Sequence, residues 1–178
     1  MPDNFGSHAT FTARGLPSGG VRPMRLPYTM NYSTPDLTIH PPRSPRIQLG
    51  GVVALPRMID KCRATLTGKN GEYHFNCPLD QRILNLFGVT AEAFQAEVAT
   101  GAGDGDIWAW IQTNSTTKPS EWEIIQWSEW QASRGPSDTD SREYFHDIHS
   151  KIGGKREDIS NWFELLDLDD YVSFGGKA

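Results

Sequence analysis

Two short runs of this sequence carry the side chains with the most chemistry. The first is Arg57-Met58-Ile59-Asp60-Lys61-Cys62-Arg63, in which Arg57 and Lys61 stand four residues apart and Asp60 stands three from both Arg57 and Arg63. On a helix Arg57 and Lys61 share a face, and a like-charge pair at that spacing costs about 0.2–0.5 kcal/mol unless something negative lies between them. Asp60 neutralises only part of the charge. The start of a helix adds free amides and a partial positive charge, so a phosphate or carboxylate would satisfy the whole group. The expectation is an anion site at Arg57, Lys61 and Arg63, with Arg43 and Arg46 as further ligand contacts.

The second run is His74-Phe75-Asn76-Cys77-Pro78-Leu79-Asp80. Proline favours the first helical position, which makes Cys77 the N-cap, and a helix N-terminus favours the thiolate, the nucleophilic and metal-binding form of cysteine. If the protein is an enzyme, Cys77 is the expected nucleophile or thiol contact, and Asp60 or His74 the proton-transfer group. Alternation along an extended segment puts His74 on the face opposite Cys77, which argues against a direct Cys-His pair. Asp80, at the third helical position, has a sufficient structural role in bonding back to the cap amide. Two ligands do not make a zinc site. Glu143-x-x-His146, with Asp147 and His149 beside it, has no second copy to complete a carboxylate-bridged metal centre, so neither metal nor cofactor is expected.

Charge and composition narrow the field of partners. The chain has 178 residues and a net charge of −5. The charge is unevenly spread: residues 41–63 hold Arg43, Arg46, Arg57, Lys61 and Arg63 against Asp60 alone, whereas from Pro119 onward 13 acids face 6 bases. The acidic C-terminal third counts against a nucleic-acid binder. The two oppositely charged parts could also simply pack together. No apolar run exceeds five residues, against about 18 needed to span a bilayer, and nothing of signal-peptide type opens the chain, so a cytoplasmic protein is expected. Cys62 and Cys77 then stay reduced. The glycine-rich phosphate loops, the serine-hydrolase elbow and the zinc-protease signature are all absent.

The elements that must position these groups are mostly helical. Residues 1–35 mix Gly, Pro, Ser and isolated arginines and are expected to form a flexible or surface-wrapped extension. The prolines of residues 35–46 predict an extended arm laid on the core. Leu55, Met58, Ile59, Cys62 and Leu66 form one apolar stripe on a helix opened by Pro56 and stopped at Gly68, with Cys62 pointing inward. Asn70-Gly71 followed by alternating Tyr73 and Phe75 predicts a short extended or two-stranded element at residues 69–76. Six more helices are expected: from Pro78 to Gly88, from Thr90 to Gly101, through Ile107 to Ile111, from Glu121 to about Arg134 behind a Ser120/Glu123 capping box, over residues 141–152, and over residues 158–168. The fold class is therefore mainly α, a single compact multi-helix domain over residues 36–178.

Trp122, Trp127 and Trp130, with Ile124 and Ile125, occupy nearly every azimuth of the fifth helix. Either that helix is buried on several sides in an aromatic core, or some indoles face a sugar, a base or a protein.

Residues 42–46 (PRSPR), 50–64 (GGVVALPRMIDKCRA), 71–80 (GEYHFNCPLD) and 173–177 (SFGGK), in this order and spacing, resemble the DUF5069 domain family of uncharacterised bacterial proteins. The resemblance runs over about residues 36–178. It implies a compact bacterial cytoplasmic domain and supplies no catalytic residue. The functional expectation is a small-ligand site for an anionic metabolite. The alternative is a non-catalytic interaction module, or a self-associating homo-oligomer, that uses the proline-rich arm and the Trp-rich helices.

Overall fold

The computed structural model describes residues 34–153 and 155–177; the expectation for residues 1–35 falls almost entirely outside them. Among the described residues the fold is mainly α: seven helices and one two-stranded antiparallel sheet. The strands are β1 (Gln48–Leu49) and β2 (Val52–Val53), with Leu49 opposite Val52. The two-stranded element thus lies upstream of its expected place. Gly50 and Gly51 both take positive φ, +59° and +79°, which is the backbone a two-residue hairpin requires. Residues 69–76 instead form a succession of turns, with Tyr73 N–H donating to the Asn70 carbonyl at 3.0 Å.

Helix α1 (Leu55–Leu66) follows the hairpin directly and is the centre of the molecule. Pro56 sits in its first turn and Gly68, at φ +66°, follows its end. Leu55, Met58, Ile59 and Cys62 are completely buried as the stripe predicts, while Leu66 is exposed. The opposite face is buried as well: Arg57, Asp60, Lys61 and Arg63 all lie inside. Beyond the one apolar stripe read from the sequence, α1 is a core helix with an ionic side.

The other helices enclose it. Helix α2 (Pro78–Phe87) is capped by Cys77 in extended geometry and closed by Gly88 in the left-handed region. Helix α3 (Ala91–Ala99) has Thr90 accepting the Ala93 amide. It leads into α4 (Asp104–Asn114), where Asp106 caps the Gly103 amide. The Ser120/Glu123 capping box starts α5 (Glu121–Ser133) as expected. Helix α6 (Thr139–Gly153) begins behind a reciprocal Asp138/Ser141 cap, slightly earlier than expected. Helix α7 (Trp162–Ser173) runs later than the expected 158–168. Its start is an Asn161/Glu164 capping box, while Asp158 is occupied by Arg156 at 2.7 Å.

The apolar core gathers Val52, Leu55, Met58 and Ile59 with Ile83, Phe87, Phe94, Ile107 and Phe163. The indoles border it rather than fill it: Trp108, Trp110 and Trp127 are partly buried against it. Helix α5 buries only the narrow stripe Ile124, Ser128 and Gln131, and leaves Trp122 and Trp130 63% and 51% exposed. The arm lies on the core as the prolines suggest: Leu37 is buried and donates its amide to the Lys69 carbonyl, and the Pro45 carbonyl receives the Ala54 amide.

The hairpin turn sets the direction in which α1 enters the core. At Gly50 a Cβ would overlap the Trp108 indole as well as meet the steric penalty of positive φ. Gly50→Ala is therefore expected to destabilise the protein by about 2–4 kcal/mol, read as a lower denaturant midpoint at unchanged slope. An unchanged midpoint would mean that the hairpin does not constrain α1.

Candidate functional site

Each charge that α1 carries inward is met by a group from elsewhere in the chain. Arg57 makes a two-pronged contact with Asp170 of α7, at 2.6 and 3.0 Å, and also donates to the Arg43 carbonyl. Burial works against its charge, but the Asp170 carboxylate more than compensates and holds its pKa above the ordinary value. Lys61 reaches Asp80 of α2 at 2.8 Å and donates to the Cys77 sulfur at 3.2 Å. Asp80 also accepts the Asn76 amide at 2.9 Å, one residue before the cap amide expected for it. Asp60 accepts three hydrogen bonds from Arg43: the backbone amide at 3.0 Å, Nε at 2.9 Å and Nη2 at 2.8 Å. Arg63 and Arg43 converge on Asp104 of α4, and Arg46 reaches Asp167 of α7 at 3.0 Å. The basic segment is thus neutralised from within, in part by the acidic C-terminal third.

Between this ionic side and the surface lies a cavity of about 730 Å³. Its floor is Arg57 and Lys61. One wall is the 71–77 turn segment with Glu72, Tyr73, His74 and Cys77, and the other is Tyr144 of α6 with Leu166, Asp169 and Phe174 at the end of the chain. Gly71 lets this segment pass close to the arm, since a Cβ there would lie 2.9 Å from the Leu37 carbonyl oxygen. Tyr73 donates its hydroxyl to Asp170 at 2.8 Å and stacks beneath the Arg57 guanidinium, 5.5 Å from the ring centre. Burial and the Asp170 charge push its hydroxyl pKa up, which keeps it a hydrogen-bond donor.

Of the residues singled out in the sequence, Arg57, Lys61, His74 and Cys77 meet in this cavity. Asp60 does not. It is 2% exposed and occupied by Arg43. Arg43 and Arg63 are spent on Asp60 and Asp104, and Arg46 borders a separate depression with Glu164, Asp167 and Tyr171. Sequence reasoning missed Asp169. Its carboxyl is pushed above the ordinary range, first by burial and then by the neighbouring Asp170 charge. A signal existed in Asp167-Leu168-Asp169-Asp170: consecutive residues on a helix point in different directions, so the acids could not all serve one partner. Asp167 goes to Arg46, Asp170 to Arg57, and Asp169 to the cavity.

Cys62 and Cys77 differ sharply. Cys62 is fully buried and burial pushes its thiol up to about 12, so it behaves as a small hydrophobe. Cys77 is half-buried at the cavity wall, at the helix start and beside an ammonium, the surroundings in which thiols react. The pair Glu143/His146 stays on α6, and His149 meets the Arg156 carbonyl at 2.8 Å. No group of three or more His, Cys, Asp or Glu among the described residues is placed to hold a metal ion. Nor is any helix among them long and apolar enough to cross a membrane.

A protein-family model described as a domain of unknown function, DUF5069, matches residues 39–172. The chain belongs to that family. No curated protein matches it.

Two measurements check this geometry. Iodoacetamide should alkylate Cys77 in the native protein, while Cys62 reacts only on unfolding; equal rates would move the Cys77 sulfur out of the cavity. Burial pushes the Asp104 pKa up, but the hydrogen bonds and charges of Arg43 and Arg63 outweigh it and hold the value below 3.8. The stability it contributes is therefore complete above that ordinary value and is lost as pH falls through the lower folded value. Asp104→Asn should flatten the acid limb of the stability profile below about pH 4; an unaltered limb would remove this pair from acid unfolding.

Proposed function

We propose that this DUF5069 protein binds a small metabolite in the cavity between α1, the 71–77 turns and the ends of α6 and α7, as a cytoplasmic bacterial protein with free thiols. The cavity itself carries the reading. At about 730 Å³ it falls within the range of about 300–1,000 Å³ typical of ligand pockets, and it joins apolar walls to a few polar groups. The arrangement also favours one ligand chemistry. Arg57 and Lys61 are already held by Asp170 and Asp80, whereas Glu72 and Asp169 have no ion pair among the described residues. An anionic metabolite, as expected from the sequence, competes with Asp170 and Asp80 for Arg57 and Lys61, and breaking a buried pair by removing one partner costs about 3–5 kcal/mol. A ligand that offers an ammonium or hydroxyl donor to Asp169, with Tyr73, Tyr144 and Phe174 as aromatic walls, breaks no pair. As an enzyme the protein would use Cys77 as nucleophile or thiol contact and Asp169 or His74 as the proton-transfer group.

A second reading is favoured by one observation. Trp122, Ile125 and Trp130 are exposed on α5, which supports an interaction module or a homo-oligomer. Sedimentation at increasing concentration tests the homo-oligomer: a monomer throughout would leave only a different protein as partner.

The deciding experiment is a thermal-unfolding screen against amines, polyols, phosphorylated compounds and carboxylates. A ligand at about 100 times its dissociation constant contributes roughly 2.7 kcal/mol, a shift of about 5–10 °C. The expected result is a shift with an amine or amino alcohol that Asp169→Asn abolishes. A shift with phosphorylated or carboxylated compounds, abolished in Arg57→Ala, would restore the anion reading. No shift across the panel would move the assignment to the interaction module.

A further inference from the structure

A second cluster of cations lies outside the cavity lining, and among the described residues no acid pairs with it. Arg82 is exposed on α2, and Arg134 follows the last turn of α5. Both guanidiniums lie over the Trp130 ring, each 5.7 Å from its centre, and Arg134 also lies 5.6 Å from the Trp162 ring. Among the described residues neither guanidinium has a carboxylate or a hydrogen-bond acceptor, whereas Arg43, Arg46, Arg57 and Arg63 all have carboxylates. The Nε of Arg134 and the Nε1 of Trp162 are buried without an acceptor. Gln131, one turn before Arg134, is 1% exposed and both atoms of its amide lack a partner. Arg134 is half-buried, and a buried arginine Nε–H is normally met by an acceptor. Here two like charges share one ring, and burial together with the Arg82 charge makes Arg134 harder to keep protonated.

We infer that Arg82 and Arg134, gathered over Trp130, bind an oxyanion, the phosphate or carboxylate of a ligand distinct from the one in the cavity. Each guanidinium has forked donors suited to an oxyanion, and both side chains lie over the Trp130 ring. The site shares no residue with the cavity lining, so it stands or falls independently of the function proposed there.

The test follows the indole and arginine Nε–H resonances of the full chain during titration with sodium phosphate and, separately, sodium acetate, at ionic strength held constant with chloride. Saturable shifts at Trp130, Trp162 and Arg134 are expected, with affinity weakened about tenfold or more in Arg134→Gln and in Arg82→Gln. Saturation by phosphate alone assigns a phosphoryl ligand; saturation by acetate as well assigns oxyanions in general. Arg82 is exposed, so Arg82→Gln decides the matter if Arg134→Gln does not fold. Shifts that rise linearly with both salts, or equal shifts in wild type and Arg82→Gln, would overturn the assignment.

Discussion

A helix buried on every side that still carries Arg57, Asp60, Lys61 and Arg63 dictates most of this molecule. An isolated ion at such depth is prohibitive, and removing one partner of a buried pair costs about 3–5 kcal/mol. The opposite charges come from far along the chain: Arg43 on the arm, Asp80 on α2, Asp104 on α4 and Asp170 on α7. Each contact therefore fixes where another element docks. The apolar stripe of α1 holds the opposite side to β2, α2, α3 and α4 without such directional demands. The hydrophobic side makes the core, and the ionic side sets the arrangement of what covers it.

The cavity follows from the same contacts. Asp170 anchors the end of α7 to Arg57 and to the Tyr73 hydroxyl, while Asp80 and Cys77 hold the start of α2 to Lys61. These contacts fasten its walls at the edges and leave Glu72, His74 and Asp169 facing the space between. The cations read as an anion site in the sequence are engaged by Asp170 and Asp80, while Glu72 and Asp169 line the cavity without an ion pair among the described residues. At Arg82 and Arg134, outside the cavity lining, the balance is reversed: cations are present and the fold supplies no acid among the described residues.

Elements whose boundaries depend on neighbouring residues were legible in the sequence. Pro56, Pro78, Gly68, Gly88 and the Ser120/Glu123 box mark helix ends through backbone geometry and local hydrogen bonds, and α1, α2 and α5 begin and end there. Cys77 at the head of α2 is local for the same reason. Alternation of Tyr73 and Phe75 misled because a strand needs a partner, and the glycine pair at Gly50-Gly51 supplied one elsewhere. Helix α7 was displaced because Asn161, with Glu164 three residues on, makes a better cap than Asp158.

The sequence by itself determined the helical class, most helix ends, the inward thiol of Cys62 and the presence of a basic segment and an acidic tail. Those properties rest on periodicity, capping and composition, which act over a few residues or over the whole chain at once. Only the tertiary structure decided that α1 is buried all round, that Asp60 pairs with Arg43, that Asp169 faces the cavity and that Trp130 lies under two arginines. Most of these depend on residues distant in the chain, as with Arg43 and Asp60 or Arg82 and Trp130. An ionic side chain accepts any opposite charge brought within reach, and which one arrives is fixed by how the helices pack.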